Sequence, residues 1–415
     1  MICLLDRHKE KEDAMTTASA HQSIRLCALL ILVCAAALLL PWGRPALGAE
    51  TDGSPCMLTD EQRAAYEADG TLEACIAYQE SLRNDRPSEG LISQAMERER
   101  AAQGIGAYAV PSNWSSGTAS VGAAHVLGLR ITFPDHQFEE NDTLDALQSI
   151  IGPKTQNAAV PAGTSPFPYE SLSAYYYRAS YGKLSLTGET FDYAAKYERD
   201  YYTNNPKSLV AEALAALDES EDLSRFDANE DGKLDAVYVH FAGPDTGWGS
   251  VWWSNESTAS DPTLYEDGSV RLWNMVLLAE NSSNSWAART IIHETGHVLG
   301  LPDYYSARSQ TGQGSDHSGI LTFDMMMQNM GDHNGYSKWL VGWLPEEKIT
   351  RIVANEDGIS VTRNGEVLEH HDAVDGDTPS VDATLGAYAG DDASETGGHH
   401  RGVQSGYGHV LLPLP

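Results

Sequence analysis

Residues 286–303 read WAARTIIHETGHVLGLPD, and this stretch decides both the fold and the chemistry. His293 and His297 stand four residues apart, so on a helix they project from one face, close enough to share a metal ion. Ile291, Ile292, Val298 and Leu299 flank them, which marks the helix as buried, and buried imidazoles need partners. A zinc ion supplies them. Glu294 then sits beside the metal, where it can take a proton from an attacking water and pass it to a leaving amine. Gly300 stops the helix and lets the chain turn. Leu301-Pro302-Asp303 then brings a carboxylate six residues beyond His297. Asp303 is the expected third ligand, with a simple turn cap as the alternative. No glutamate lies between Glu294 and Glu346, so His317 and His333 are the fallback ligands.

Upstream, apolar residues recur in short β-type runs: HVLGLRITF (125–133), KLSLTGETF (183–191), LDAVYVHFA (234–242) and VRLWNMVLLAE (270–280). Segments 169–181 and 208–217 between them read as helices, and the polar stretch 282–285 can cap the helix that carries the histidines. The expectation is an α+β (mixed α/β) catalytic domain over 106–350, with a mixed sheet and the HExxH motif on its active-site helix.

The ends read differently. An apolar run from Leu26 to Trp42 follows Arg25 and precedes the small residues 45–49, so residues 1–49 read as an export signal, with Met15 an alternative start. An uncleaved anchor is the competing reading. The chain is therefore expected to be secreted, with no stable membrane partner. Residues 50–105 are charged and helical in pattern and read as a propeptide, the alternative being a subdomain that stays attached. The Gly- and Ser-rich stretch 105–121 marks a linker or maturation region. From 351 to 415 large apolar residues are few, and a polar, disordered tail is expected. Its histidine pairs at 370/371 and 399/400 read as exposed polar residues ahead of metal ligands.

Acidic residues outnumber basic ones 59 to 27, for a formal net charge of -32, which repels nucleic-acid phosphates and excludes that class of partner. Only Cys56 and Cys75 lie outside the export segment. They offer a disulfide, two thiols, or a thiolate capping the zinc of a latent form. No cysteine follows Cys75, so the main domain has neither a cysteine nucleophile nor a deformylase-like cysteine ligand.

Asp227, Asn229, Asp231 and Asp235, with the Lys233 carbonyl and Gly232 between them, have the spacing of an EF-hand-like calcium loop. Tyr238 stands where a bidentate glutamate is needed, and an Asx-rich turn without an ion is the alternative. Further on, TFDMMM (322–327) resembles the methionine turn beneath the zinc of metzincins, with Met326 best aligned and plain core packing the alternative. Asp324 is a candidate to orient a histidine ligand, and Tyr336 and His333 are candidates to steady an oxyanion.

HETGHVLGLPDYY (293–305), TFDMMMQNMG (322–331) and YSKWLVGWL (336–344) together resemble the immune inhibitor A family of secreted metallopeptidases. ITFPD (131–135), SAYYYRASYGKLSLTG (173–188) and FDANEDGKLDAVYVHFAGP (226–244) extend the resemblance over residues 125–345. Phe323 and Met327 depart from the family's usual tryptophan and small residue, and the tail lacks the large extra domains of some members. The resemblance implies a metzincin- or zincin-like domain and a propeptide-bearing zinc endopeptidase acting on proteins and peptides. Two other readings stand beside it: a noncatalytic, calcium-stabilised adhesion module, which the intact Glu294 argues against, and a zinc hydrolase of non-peptide substrates.

Overall fold

The period-two runs form strands. The computed structural model describes residues 58, 60–104, 118–154, 170–259, 265, 269–280, 285–305, 307–308, 324–328, 331–355, 358–363, 366–372 and 408–410. β1 (Gly122–Thr132), β2 (Leu184–Ala194), β3 (Val237–Phe241), β4 (Asn255–Thr258) and β5 (Asn274–Ala279) build one sheet in the order β2-β1-β3-β5-β4. The first three pairings in that order are parallel and β4 runs antiparallel at the edge, so the sheet is mixed, as the sequence predicts. β4 escapes a reading by periodicity because Asn255-Glu256-Ser257-Thr258 has no apolar alternation; it is a strand only because β5 pairs with it.

Strand alternation sends side chains to two cores. Val126, Leu186, Tyr238 and Val276 share one with α4 (Leu144–Ile151), α5 (Leu172–Ala179) and α7 (Ser285–Val298). Leu129, Val239, Phe241 and Leu277 share the other with α6 (Pro206–Leu217). The result is a mixed α/β architecture with helices on both faces of a mostly parallel sheet.

Three helices precede the sheet: α1 (Asp60–Asp69), α2 (Leu72–Leu82) and α3 (Glu89–Ala102). They are not equivalent. Cys75 and Ile76 of α2 and Tyr66 of α1 pack with Leu58 and Trp248 in a small satellite cluster. Cys56 lies outside the described residues, and Cys75 is buried in apolar company. By contrast, Leu91 and Ala95 of α3 belong to the main core.

Of the tail expected to be disordered from 351, the described residues form strands, β6 (Ile349–Asn355), β7 (Gly358–Arg363) and β8 (Glu366–Asp372), which pair antiparallel, with β9 (Gly408–Val410) parallel to β6; residues 373–407 and 411–415 lie outside the described residues. Composition misled here: Ile352-Val353 and Ile359-Ser360-Val361 give these strands enough β-forming residues to pair locally in hairpins. His370 and His371 fall on β8; His399 and His400 lie outside the described residues. So do the export run and its alternatives; among the described residues no helix is long and apolar enough to cross a membrane.

The N-terminal helices and the second sheet are joined by charge. Arg351 on β6 donates from Nη2 to Glu99 Oε2 at 3.1 Å and from Nε to Glu99 Oε1, and it also binds Glu346. Glu99 and Arg351 are both buried, so removing one partner strands the other away from water. Glu99→Ala is expected to lower unfolding stability by about 3–5 kcal/mol, the usual cost of breaking a buried pair, as read by urea denaturation.

Candidate metal centre

α7 carries His293 and His297 on its buried face, and its C-terminal half is held by hydrogen bonds to β3, to α5 and to its own turn. Tyr238 of β3 shares a 2.7 Å hydroxyl contact with Thr295, and the Tyr176 hydroxyl of α5 donates to the Ile292 carbonyl at 2.7 Å. At the C-terminus Gly300 adopts φ 89°, Leu301 N–H donates to Gly296 O, and Gly300 N–H donates to His297 O, both at 2.8 Å. This is the left-handed helix stop that the glycine predicts.

The turn delivers Asp303. Its Oδ1 lies 3.1 Å from His293 Nε2 and 3.3 Å from His297 Nε2, and the ligand atoms of the three residues lie within 4.8 Å of one another. Among the described residues this is the group of His, Cys, Asp or Glu side chains assembled to hold a metal ion. His333 is not in it, and His317 lies outside the described residues.

The far nitrogens settle the tautomers. His293 Nδ1 lies 3.1 Å from the Met325 carbonyl oxygen and His297 Nδ1 lies 2.8 Å from that of Leu301. A carbonyl only accepts, so each Nδ1 carries a proton and each ring turns its Nε2 toward Asp303. Asp303 Oδ1 is buried and pairs with both imidazoles. Lone pairs converging on an anionic oxygen require a positive charge between them, a proton or a metal ion. Two imidazole nitrogens and one carboxylate oxygen fit Zn²⁺, and three protein ligands leave a position for water and substrate.

Electrostatics tell the same story. Burial pulls His297 down, but Asp303, with Glu294 and Glu256 behind it, outweighs burial and lifts the ring to about 9. Burial pushes Asp303 up, yet His297 and His293 hold its carboxyl at about 2. Glu294 is buried beside them and raised by that burial, which the two histidines only partly offset; its carboxylate accepts the Glu256 N–H. Glu256 on β4 is raised to about 7, chiefly by burial. Sequence reading missed Glu256 because it sits on the strand that periodicity did not show.

Met326 lies directly beneath α7: a Cβ on Gly296 would come 2.2 Å from its Sδ. Asp324 does not orient a ligand histidine. Its Oδ1 accepts Met326 N–H at 2.8 Å, and its Oδ2 accepts Asn334 N–H and Ser337 O–H, each at 2.7 Å. The role expected of it falls to the two main-chain carbonyls, which no sequence pattern announces. His333 is fully buried behind Gly296, 3.5 Å from Asp324, and does not line the space at the metal residues. Tyr336 stacks on Trp339 and is also absent from that lining, whereas Tyr305, two residues past Asp303, is part of it.

That space is small. Gln79 of α2, Asn84, Trp248, Trp253 and Tyr305 close over His293, Glu294, His297 and Asp303, leaving a volume of about 10 Å³, room for one water molecule. A larger cavity of about 640 Å³ runs past His297 and Glu256 along β4, bordered by Arg83, Arg86 and Lys207.

In the 227–235 loop the side chains are occupied locally. Asp227 accepts the N–H groups of Asp231 (3.0 Å) and Gly232 (2.8 Å), Asn229 accepts Asp231 N–H at 3.4 Å, and Asp231 accepts Lys233 N–H at 3.0 Å. The Lys233 ammonium lies 3.5 Å from Asp231, and Asp235 Oδ2 accepts His125 N–H at 2.6 Å. These hydrogen bonds from the loop's own backbone give it the local form of an Asx-rich turn.

No protein-family model matches the chain, and no curated protein matches it.

Two outcomes follow from this geometry. Gly296→Ala should cost about 1–3 kcal/mol through overpacking, and combining it with Met326→Ala should cost less than the sum of the two, as a double-mutant denaturation cycle would read. In chelator, the stability that His297 adds is fully present below its ordinary 6.5 and lost as pH rises through about 9. That of Asp303 is present above its ordinary 3.8 and lost as pH falls through about 2. Denaturation of the chelated protein across pH should show both declines, and added zinc should remove the alkaline one by replacing the proton on His297.

Proposed function

We propose that the chain is a secreted zinc endopeptidase that hydrolyses peptide bonds in proteins, with His293, His297 and Asp303 holding the ion and Glu294 as general base. The observation that carries this reading is the convergence of two imidazoles, each oriented through its Nδ1, on the buried Asp303 Oδ1, with a buried carboxylate adjacent in sequence and space. The resemblance of residues 125–345 to the immune inhibitor A family supports the same reading and a metzincin-like classification.

Zinc, when bound, would acidify a water and polarise the scissile carbonyl. The chain's own groups do the rest. Glu294, raised by burial, accepts the proton of the attacking water and returns it to the leaving amine nitrogen. Met326 supports the helix from below at Gly296, and Tyr238 holds it to the sheet through Thr295. The edge strand β4 offers extended backbone beside the centre for a substrate strand, and the 640 Å³ cavity along it has room for side chains. Export places the enzyme outside the cell, and the helices over the centre would keep it latent until they are removed.

The test compares purified, matured wild type with Glu294→Gln. Wild type is expected to bind one zinc per chain and to cleave protein, with chelation abolishing cleavage. Glu294→Gln should keep its zinc and lose at least about 100-fold in rate, the size of a general-base contribution. A zinc-loaded wild type inert toward proteins but active on small amides or esters would move the assignment to a non-peptide hydrolase, and a zinc-free, inert one to a binding module.

A further inference from the structure

The three N-terminal helices divide at residues 83–88 into a part that covers the centre and a part that belongs to the enzyme. α2 ends at Leu82, Arg83 takes a left-handed φ of 65°, and α3 starts at Glu89 with Ser88 as its cap. The segment between is hydrogen-bonded to Asp303 and to its neighbours at the centre. The Asn84 carbonyl accepts Asp303 N–H at 2.7 Å, its side-chain amide donates to Glu256 O at 3.3 Å, and Ser88 N–H donates to Gly300 O at 2.9 Å. Around these anchors the side chains of Arg83, Asp85 and Arg86 face solvent, 61, 59 and 60 % exposed.

The two sides of this segment are held by different forces. α1 and α2 rest on the satellite cluster around Trp248 and on ion pairs from Arg308 to Glu73 and Glu80. Arg308 and its acidic partners are solvent-exposed, and such pairs hold little. α3 is locked from three directions. Leu91 and Ala95 lie in the main core, Glu99 makes the buried pair with Arg351, and Arg98 donates to the carbonyls of Trp339 and Leu340. Ser88 and Leu91 also fill the space beside Gly300, where a Cβ would meet Ser88 Oγ at 2.3 Å and Leu91 Cβ at 3.0 Å. Removing α3 would therefore uncover the turn that positions Asp303.

We infer that the chain matures by hydrolysis of a peptide bond between Arg83 and Ser88, releasing α1 and α2 while α3 stays as a permanent part of the catalytic unit. This rests on the peptidase reading of the centre and places the boundary upstream of the 105–121 region that composition marks. The step is an ordinary amide hydrolysis: one C–N bond breaks, water gives its hydroxyl to the acyl carbon, and its proton goes to the new N-terminus. Gln79 and the strap at Asn84 close the 10 Å³ space, so cutting here turns a tethered plug into a separate peptide that dilution removes.

The test reads mass and not activity, which separates it from the peptidase reading. The full chain carrying Glu294→Gln, unable to process itself, is treated briefly with a broad-specificity serine peptidase. The folded peak is then isolated by gel filtration and its peptides identified by intact mass under denaturing conditions. The expected peak contains residues 89–104, lacks 60–82, and melts as one cooperative unit. A folded peak that has lost 89–104, or one that still holds 60–82, overturns the inference. Wild type treated in the same way and loaded with zinc is then assayed on protein; inactivity there would count against the peptidase reading and leave the boundary standing.

Discussion

The left-handed turn at Gly300 is the constraint on which the centre depends. It ends α7, sends the Leu301 carbonyl back to His297 Nδ1, and points the next three residues so that Asp303 meets both imidazoles. A residue with a Cβ would be strained at that φ and would collide with Ser88 and Leu91. Helix stop, ring orientation and the placing of Asp303 are thus one event in the chain, and α3 is the element packed against it.

Much of this was legible because the chemistry is local. Two histidines four apart, a glycine, and an aspartate three residues later mark a helix, a stop and a carboxylate returned to the histidines without any long-range contact. The four apolar runs were likewise visible, since each buried strand carries its own pattern. What escaped reading depends on distant partners. β4 is a strand because β5 pairs with it, so Glu256 gave no signal; the oxygens that hold the histidines are main chain; and Asn84 reaches the centre from over two hundred residues away in sequence. Two expectations failed where composition stood in for geometry. The described residues of the tail from 351 form strands, and Asp324 serves the Met326 turn rather than His293 or His297.

The sheet contributes rigidity more than chemistry. Tyr238 and Tyr176 reach from β3 and α5 to grip α7 by its Thr295 hydroxyl and Ile292 carbonyl, both buried. Hydrogen bonds in so dry a setting are directional and costly to leave unmade, so they hold the helix in register with the strands. Met326 then presses the same helix from the other side through Gly296.

Both imidazoles are steered by peptide oxygens, those of Met325 and Leu301. Every amino acid brings the same oxygen to those two positions, and a peptide oxygen neither gains nor loses a proton across the range in which the protein is folded. The aim of the rings is therefore stored in the path of the backbone: side chains at 301 and 325 can drift as far as packing allows without turning either histidine away from Asp303.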